Sequence, residues 1–192
     1  MQNDANNKLI LASSSPRRAE ILQRVGWPHE VIAAGIDESV LPDEDPAAYV
    51  QRLAKSKADA VAQRLEEGLV LGADTTVVVA NQILGQPTDE ADARRMLDLL
   101  NGKWHDVLTG VALVEVRGQS RVGYERTRVR FAEMNENEIN WYILTGEAFG
   151  KAGGYGIQGK AALFIKEIQG DYFNIMGLPI RLVHELAADF HR

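Results

Sequence analysis

Asp74 stands in the stretch LVLGADTTVVVA, among residues whose character asks for burial in a sheet. An ionised carboxylate buried without a partner is very costly, so Asp74 there must meet a cation, a metal or several hydrogen-bond donors. The other reading is that the strand breaks at Gly72 and leaves Asp74 as a solvated turn residue. At a strand end of an open α/β sheet, a carboxylate is well placed for metal binding or for work as a base. A second place is SSSPRRAEIL, Ser13 to Leu22, where Ser15 fits a helix N-cap and Pro16 the first helical position. As an ordinary cap it requires nothing further, with both arginines solvated. Yet Arg17 and Arg18 set two cations against the positive end of the helix dipole. A phosphate would satisfy the dipole, the free amides and the guanidinium forks together, with the hydroxyls of Ser13 to Ser15 beside it.

The third place is GKAGGYGIQG, where the glycines let backbone approach a ligand closely. Lys151 brings a positive charge and Tyr155 a ring and a hydroxyl. Gln158 carries an amide that donates and accepts at once, which matches the edge of uracil or thymine. A flexible connector between helix and strand is the plainer alternative. Glu38 lies in the acidic loop IDESVLPDED, which reads as a solvated run, and Lys57 lies on a helix beside Lys55, where lysines are usually at the surface. The histidines at 29, 105, 184 and 191 show no metal-ligand spacing, and the serines lack a GxSxG context. A carboxylate-based metal site is the better expectation.

The elements that must position these residues alternate along the chain. KLILAS and HEVIAA read as strands, with the helix of SPRRAEILQRVG between them, closed by Gly26. A longer helix starts at Asp45-Pro46 and keeps an apolar stripe through Ala47, Val50, Leu53, Ala54, Ala58, Val61 and Leu65 toward Gly68. LVLGADTTVVVAN is a buried strand and DEADARRMLDLLNG a helix. DVLTGVALVEVRGQSRVGYERTRVRF alternates with period two about RGQS, the pattern of a hairpin. A short helix at ENEINWYILTG, the glycine-rich loop, a strand at AALFIKEI and a helix from Pro179 follow. Together they predict an α/β fold with a mixed central sheet and flanking helices. Neither GxxxxGK[ST] nor GxGxxG occurs, so no familiar nucleotide loop accounts for the basic turn.

The chain has 192 residues, 45% hydrophobic and 25% charged, the balance of a globular protein of one domain or two small lobes. We expect a disordered tail over residues 1–7 and a single domain over 8–192. The tail lacks the basic-then-apolar layout of a signal peptide, and no apolar run has the roughly 18 to 20 residues of a membrane helix. A net charge of −6 argues against nucleic acid and anionic membranes as partners. The absence of cysteine fits a reducing cytoplasm.

Seven stretches in this order resemble the Maf family of nucleoside triphosphate pyrophosphatases, from about Leu9 to Phe190: LASSSPRRAEIL, GIDES, LAKSKADAVA, LGADTTVVV, GKWHDVLTGVAL, KAGGYGIQG and GDYFNIMGLP. The resemblance implies an inosine triphosphatase-like fold of two lobes around a cleft, usually a homodimer. It implies hydrolysis of a nucleoside triphosphate to the monophosphate and pyrophosphate with a divalent cation, Mg²⁺ or Mn²⁺. By position, Asp74 matches the family's proton acceptor, and Arg17, Thr75 and Gln158 match positions associated with base choice. Arg18, Glu38, Lys57 and Lys151 match polar positions near phosphate or metal. On this basis we expect Glu38 and Asp74 as oxygen ligands of the metal and Ser13 in the turn that holds phosphate. SPRR, ADT and GIQG together are similar to the branch that prefers dTTP and UTP. Two further readings stay open: a nucleotide-binding regulator of septum formation with little turnover, and the same chemistry on non-standard purine triphosphates. Two departures bear on rate and metal use. Gln86 replaces a lysine of the family's Gly-Lys-Pro, and EAFGK has Ala148 and Gly150 where a proline and an aspartate are usual.

Overall fold

The computed structural model describes residues 9–188 and 190. The expected tail over 1–7 lies outside the described residues. The strands are β1 (Leu9–Ala12), β2 (His29–Val31), β3 (Leu69–Val79), β4 (Gln82–Leu84), β5 (Trp104–Glu115), β6 (Ser120–Phe131) and β7 (Ile165–Gln169). Helices are α1 (Pro16–Arg24), α2 (Pro46–Ala62), α3 (Glu90–Leu100), α4 (Glu136–Leu144), α5 (Tyr172–Met176) and α6 (Ile180–Ala188), with 3-10 turns at Ala152–Gly154 and Lys160–Phe164. The strands form one seven-stranded sheet in the order β2-β1-β3-β5-β6-β7, with β4 paired to β3 off that path. β1 runs parallel to both β2 and β3, while β3–β4 and β6–β7 are antiparallel. The sheet is therefore mixed, as the alternation of βα units and hairpins predicts.

Contacts divide the chain into two compact units. The first comprises Met1–Asp74, Thr109–Glu125 and Gly177–Arg192, the second Thr75–Leu108 and Arg126–Met176. In the first unit, Asp45 caps α2 by accepting from the N–H groups of Ala47 and Ala48 at 2.9 and 3.3 Å, and Pro46 opens the helix. α2 then buries Val50, Leu53, Ala54, Ala58 and Val61. Ala54, Ala58 and Val61 pack with Ile10, Ala12, Val70, Ala112 and Val114 of β1, β3 and β5. Its last turn ends at Ala62, one turn short of the stretch the apolar pattern suggests. Gly26, at φ +68°, follows the end of α1 in the left-handed region that favours glycine at a helix stop.

The second unit is built on Val77, Leu84, Met96, Leu97, Leu100, Val129, Phe131, Tyr142, Tyr155 and Phe164. Asp89 caps α3, and α4 begins with a reciprocal capping box between Asn135 and Glu138. Further elements differ from the sequence reading, α5 among them, which the sequence pattern did not suggest. The run expected as one strand through Asn81 turns at Ala80 and Asn81, at φ +48° and +61°, and returns as β4. Two consecutive left-handed residues are the requirement of a tight hairpin, and Ala at the first hides the signal that Asn-Gly would give. The expected strand AALFIKEI is a 3-10 turn through Phe164 before β7 begins. β2 stops at Val31, three residues before the apolar pattern does.

Candidate active site

Strand β3 sets Asp74 two residues after Gly72, on the same side of the strand. Gly72 carries no side chain, and α2 lies directly on it. A Cβ at Gly72 would fall 2.0 Å from the Ala54 carbonyl oxygen and 3.0 Å from the Ala58 Cβ. The same helix rests on β5 at Gly110, where a Cβ would fall 2.1 Å from the Val50 carbonyl oxygen. This close seat brings Lys57, one residue before Ala58, down to the strand. Its Nζ donates to Asp74 Oδ1 at 2.6 Å and pairs with Glu38 Oε1 at 2.8 Å. Asp74 is 6% exposed and Lys57 8%, so Asp74 is a buried, partnered carboxylate and not a solvated turn residue.

Burial raises the Asp74 carboxyl's proton affinity; the charge and hydrogen bond of Lys57 and the charge of Arg18 oppose that rise without cancelling it. Glu38 is itself exposed, yet its loop is not a freely solvated run. The Tyr49 hydroxyl donates to the Glu38 carbonyl at 3.0 Å, and Arg52 donates to the Ser39 carbonyl at 3.0 Å while forking onto Glu44 at 2.6 and 2.7 Å. α2 thus holds the acidic loop through three of its side chains. Two carboxylates converge on one ammonium, a hard oxygen donor pair of the kind that Mg²⁺ or Mn²⁺ takes together with phosphate and water. Among the described residues no cluster of three or more metal-ligating side chains occurs.

Arg18 and Ser13 meet at the start of α1. Arg18 is buried; its Nη1 donates to Ser13 Oγ at 3.0 Å and its Nε to the Gly177 carbonyl at 2.8 Å. Ser13 Oγ also accepts from the Ser15 N–H at 3.2 Å. Ser15 takes the N-cap position as expected, but its side chain makes no capping hydrogen bond. The cap reading is right in place and wrong in bonding: the hydroxyl at work is Ser13, tied to the guanidinium. Burial lowers the proton affinity of Arg18, the charge of Asp74 raises it, and the neighbouring charge of Arg17 lowers it again. Arg17 is half-buried.

The glycine-rich segment belongs to the second unit. Gly153, at φ +68°, packs so tightly on Val77 that a Cβ would lie 2.9 Å from that side chain, and its N–H donates to the Gly85 carbonyl at 2.9 Å. Tyr155 is buried, with its hydroxyl 2.7 Å from His105 Nε2 and its ring edge-on to His105 and Phe131. Burial pushes the His105 imidazole down to about 4. Gln158 is exposed, and Thr75, half-buried, follows Asp74 on β3 and so points to the opposite face of the strand. The Lys151 ammonium donates to the Glu147 carbonyl, four residues earlier. Gln86 is exposed between Gly85 and Pro87, both of which approach the glycine segment.

A family model described as Maf-like protein matches residues 8–190. The chain belongs to the Maf family. Relatives include a Bacillus cytotoxicus protein named dTTP/UTP pyrophosphatase, 52% identical over 180 residues, covering 93% of this chain and 94% of the relative. A Symbiobacterium thermophilum protein of the same name is 50% identical over 184 residues, covering 95% and 94%. Among solved structures, a nucleoside-triphosphatase / dITP/XTP pyrophosphatase from Mycobacterium abscessus is similar at a TM-score of 0.42 and 17% identity, over 66% of this chain and 75% of that one.

In this Maf-family chain, Asp74, Lys57 and Glu38 meet in one ion-pair group, and Ser13 and Arg18 in a second whose charge acts on Asp74. Thr75, Lys151 and Gln158 belong to the other unit. Lys57, expected at the surface beside Lys55, is buried, and its spacing from Val50, Leu53, Ala54 and Val61 is that of the buried stripe. A lysine in register with an apolar face is the signal that finds it. Glu147 and His105, which fasten the glycine-rich segment, carry no comparable pattern.

Proposed function

We propose that this chain hydrolyses nucleoside triphosphates to the monophosphate and pyrophosphate, with dTTP and UTP as preferred substrates. The observation that carries the reading is a buried carboxylate, Asp74, whose proton affinity burial raises and whose charge Lys57 balances. A base with its proton affinity lifted above the ordinary carboxylate range takes a proton from attacking water more readily. The relatives' shared name, at about half identity over nearly the whole chain, supports the substrate class.

In this reading Asp74 accepts the proton of the water that attacks the α-phosphate. Arg17, Arg18 and Ser13 bind phosphate oxygens, and the fork of Arg18, fixed by Ser13 and Gly177, is pre-oriented for that task. Lys57 favours the ionised form of Asp74 against the burial that opposes it, and its ammonium lies between Asp74 and Glu38. Lys151 adds charge toward the phosphates, while Thr75 and Gln158 recognise the pyrimidine. Glu38 and Asp74 would hold a divalent cation, Mg²⁺ or Mn²⁺, which when bound neutralises phosphate charge. The protein acts as a homodimer in the cytoplasm, with neither nucleic acid nor membrane as partner. Its net charge of −6 supports that exclusion.

The deciding experiment measures pyrophosphate release from a panel of nucleoside triphosphates with Mg²⁺ and with Mn²⁺, beside Asp74→Asn. Release from dTTP and UTP that the variant loses is the expected result. Nucleotide binding without release across the panel would replace the enzyme by a binding regulator, and release from purine triphosphates alone would reassign the substrate.

A further inference from the structure

Gln158 sits on a turn held from outside itself. The Gly159 N–H donates to the Gly156 carbonyl at 3.1 Å, closing four residues with Ile157 and Gln158 at the centre. Ile157 is buried beneath the turn and Gln158 is exposed on it. At the entry, the Tyr155 hydroxyl meets His105 Nε2. At the exit, the Glu147 carboxylate accepts from the Lys160 N–H at 2.9 Å and from the Ala161 N–H at 3.4 Å. It also accepts from the Tyr142 hydroxyl at 3.3 Å. Glu147 is the charged member of this frame, and its bonds to N–H groups are of the stronger, charge-assisted kind.

Gly159 is shaped to this carboxylate. A Cβ there would lie 2.2 Å from Glu147 Oε1, while the backbone, at φ −104°, is open to any residue. The glycine answers to the carboxylate and not to a backbone requirement. We infer that Glu147 is a positioning residue that sets base discrimination through Gln158. The inference rests on the reading of Gln158 as the amide that recognises the base. Such an amide separates one base edge from another only while its backbone is held to within a fraction of an ångström, and Glu147 supplies that hold.

The test compares kcat/KM for UTP and for GTP in the wild type, Glu147→Gln, Gly159→Ala, Gln158→Ala and the Glu147→Gln/Gln158→Ala double variant. Glu147→Gln keeps the shape and loses one acceptor, whereas Gly159→Ala displaces the carboxylate without altering it, so either remains informative if the other fails to fold. Gln158→Ala and Glu147→Gln are each expected to lower the UTP-to-GTP ratio by roughly three- to tenfold, about the worth of one hydrogen bond, chiefly through KM. Gly159→Ala follows them, and the double variant falls no lower than Gln158→Ala alone. If Glu147→Gln slows both substrates equally, or lowers the ratio as much without Gln158 as with it, its role is structural only and the inference is overturned. A ratio moved by Gln158→Ala but by neither Glu147→Gln nor Gly159→Ala overturns the inference and leaves the base-reading role standing. If Gln158→Ala leaves the ratio unchanged, that role fails and the inference with it.

Discussion

In the unit that carries Asp74, the polar side chains at the site are mostly buried and charged, and other charges fix them; in the unit that carries Gln158, the proposed reading group is exposed, and a frame of hydroxyl, imidazole and backbone contacts around one carboxylate fixes its loop. The difference follows from the two tasks proposed. A base that takes a proton gains from a dry setting that raises its proton affinity, and that setting makes every unpaired charge expensive. An amide that tells one base edge from another needs no shifted proton affinity, only a fixed position and access to the ligand. Breaking the first region should therefore cost catalysis and stability together, whereas breaking the second should cost discrimination.

The largest effect is expected from Asp74→Asn: a loss of about 10² to 10⁴ in the rate of pyrophosphate release, with an unchanged circular dichroism spectrum. A variant with near-full activity would remove Asp74 from the role of base and leave the ion-pair group a structural device. Next comes Lys57→Met, which strands Asp74 in the protein interior and should cost roughly 3 to 5 kcal/mol by denaturant unfolding at neutral pH. Because burial raises the Asp74 carboxyl above its ordinary value of 3.8, that cost should shrink as the pH falls and the carboxyl takes up a proton. The same raised value places the acid limb of the kcat/KM profile above the ordinary carboxylate range.

The second region offers a contrasting pH signature. His105 falls from 6.5 to about 4 because it is buried, so the folded state keeps it neutral while the unfolded chain protonates it. Its contribution is fully present above 6.5 and is lost as the pH falls toward 4, a window worth roughly 3 kcal/mol at about 1.4 kcal/mol per pH unit. In His105→Gln the stability lost between those pH values should be smaller than in the wild type by about that amount. An identical slope would show that the imidazole is not held neutral. The smallest effect is expected at the surface, where Arg181→Ala removes an exposed i,i+4 pair with Glu185 and should change stability by less than about 0.5 kcal/mol.

The sequence carried the strand and helix order because its signals were local. Pro46 after Asp45, Gly26 after α1 and the two-residue alternation toward the end of β6 each act within a few residues, whereas β5 is buried on both faces from Val107 to Val114 and does not alternate. It missed β4, where Ala80 does a job usually given to Asn or Gly, and it extended a strand into residues 161–164, where Gly159 and the Glu147 carboxylate start a 3-10 turn instead. At the site, Asp74 could be singled out because a carboxylate inside an apolar strand is a conflict visible in one dimension. Lys57 stands out by its register with the apolar stripe of α2, but its pairing with Asp74 does not, since the two are 17 residues apart and only the folded seat of α2 on Gly72 makes them neighbours. Glu147 was hidden for the same reason, as its acceptance of two amides 13 and 14 residues later leaves no trace in spacing.

The contact of α2 with Gly72 and Gly110 has a consequence for hydrogen exchange. With helix carbonyls resting on bare strand backbone, no side chain lies between the two surfaces to yield and let the helix lift by a turn. The amides from Ala54 to Val61 should then exchange only when the whole unit opens, at the free energy of global unfolding, and not through fraying from either helix end. Lys57 rides on that protected segment. Its ammonium is accordingly present beside Asp74 in every molecule that is folded at all, and the charge state of the site has no partly open form in which to vary.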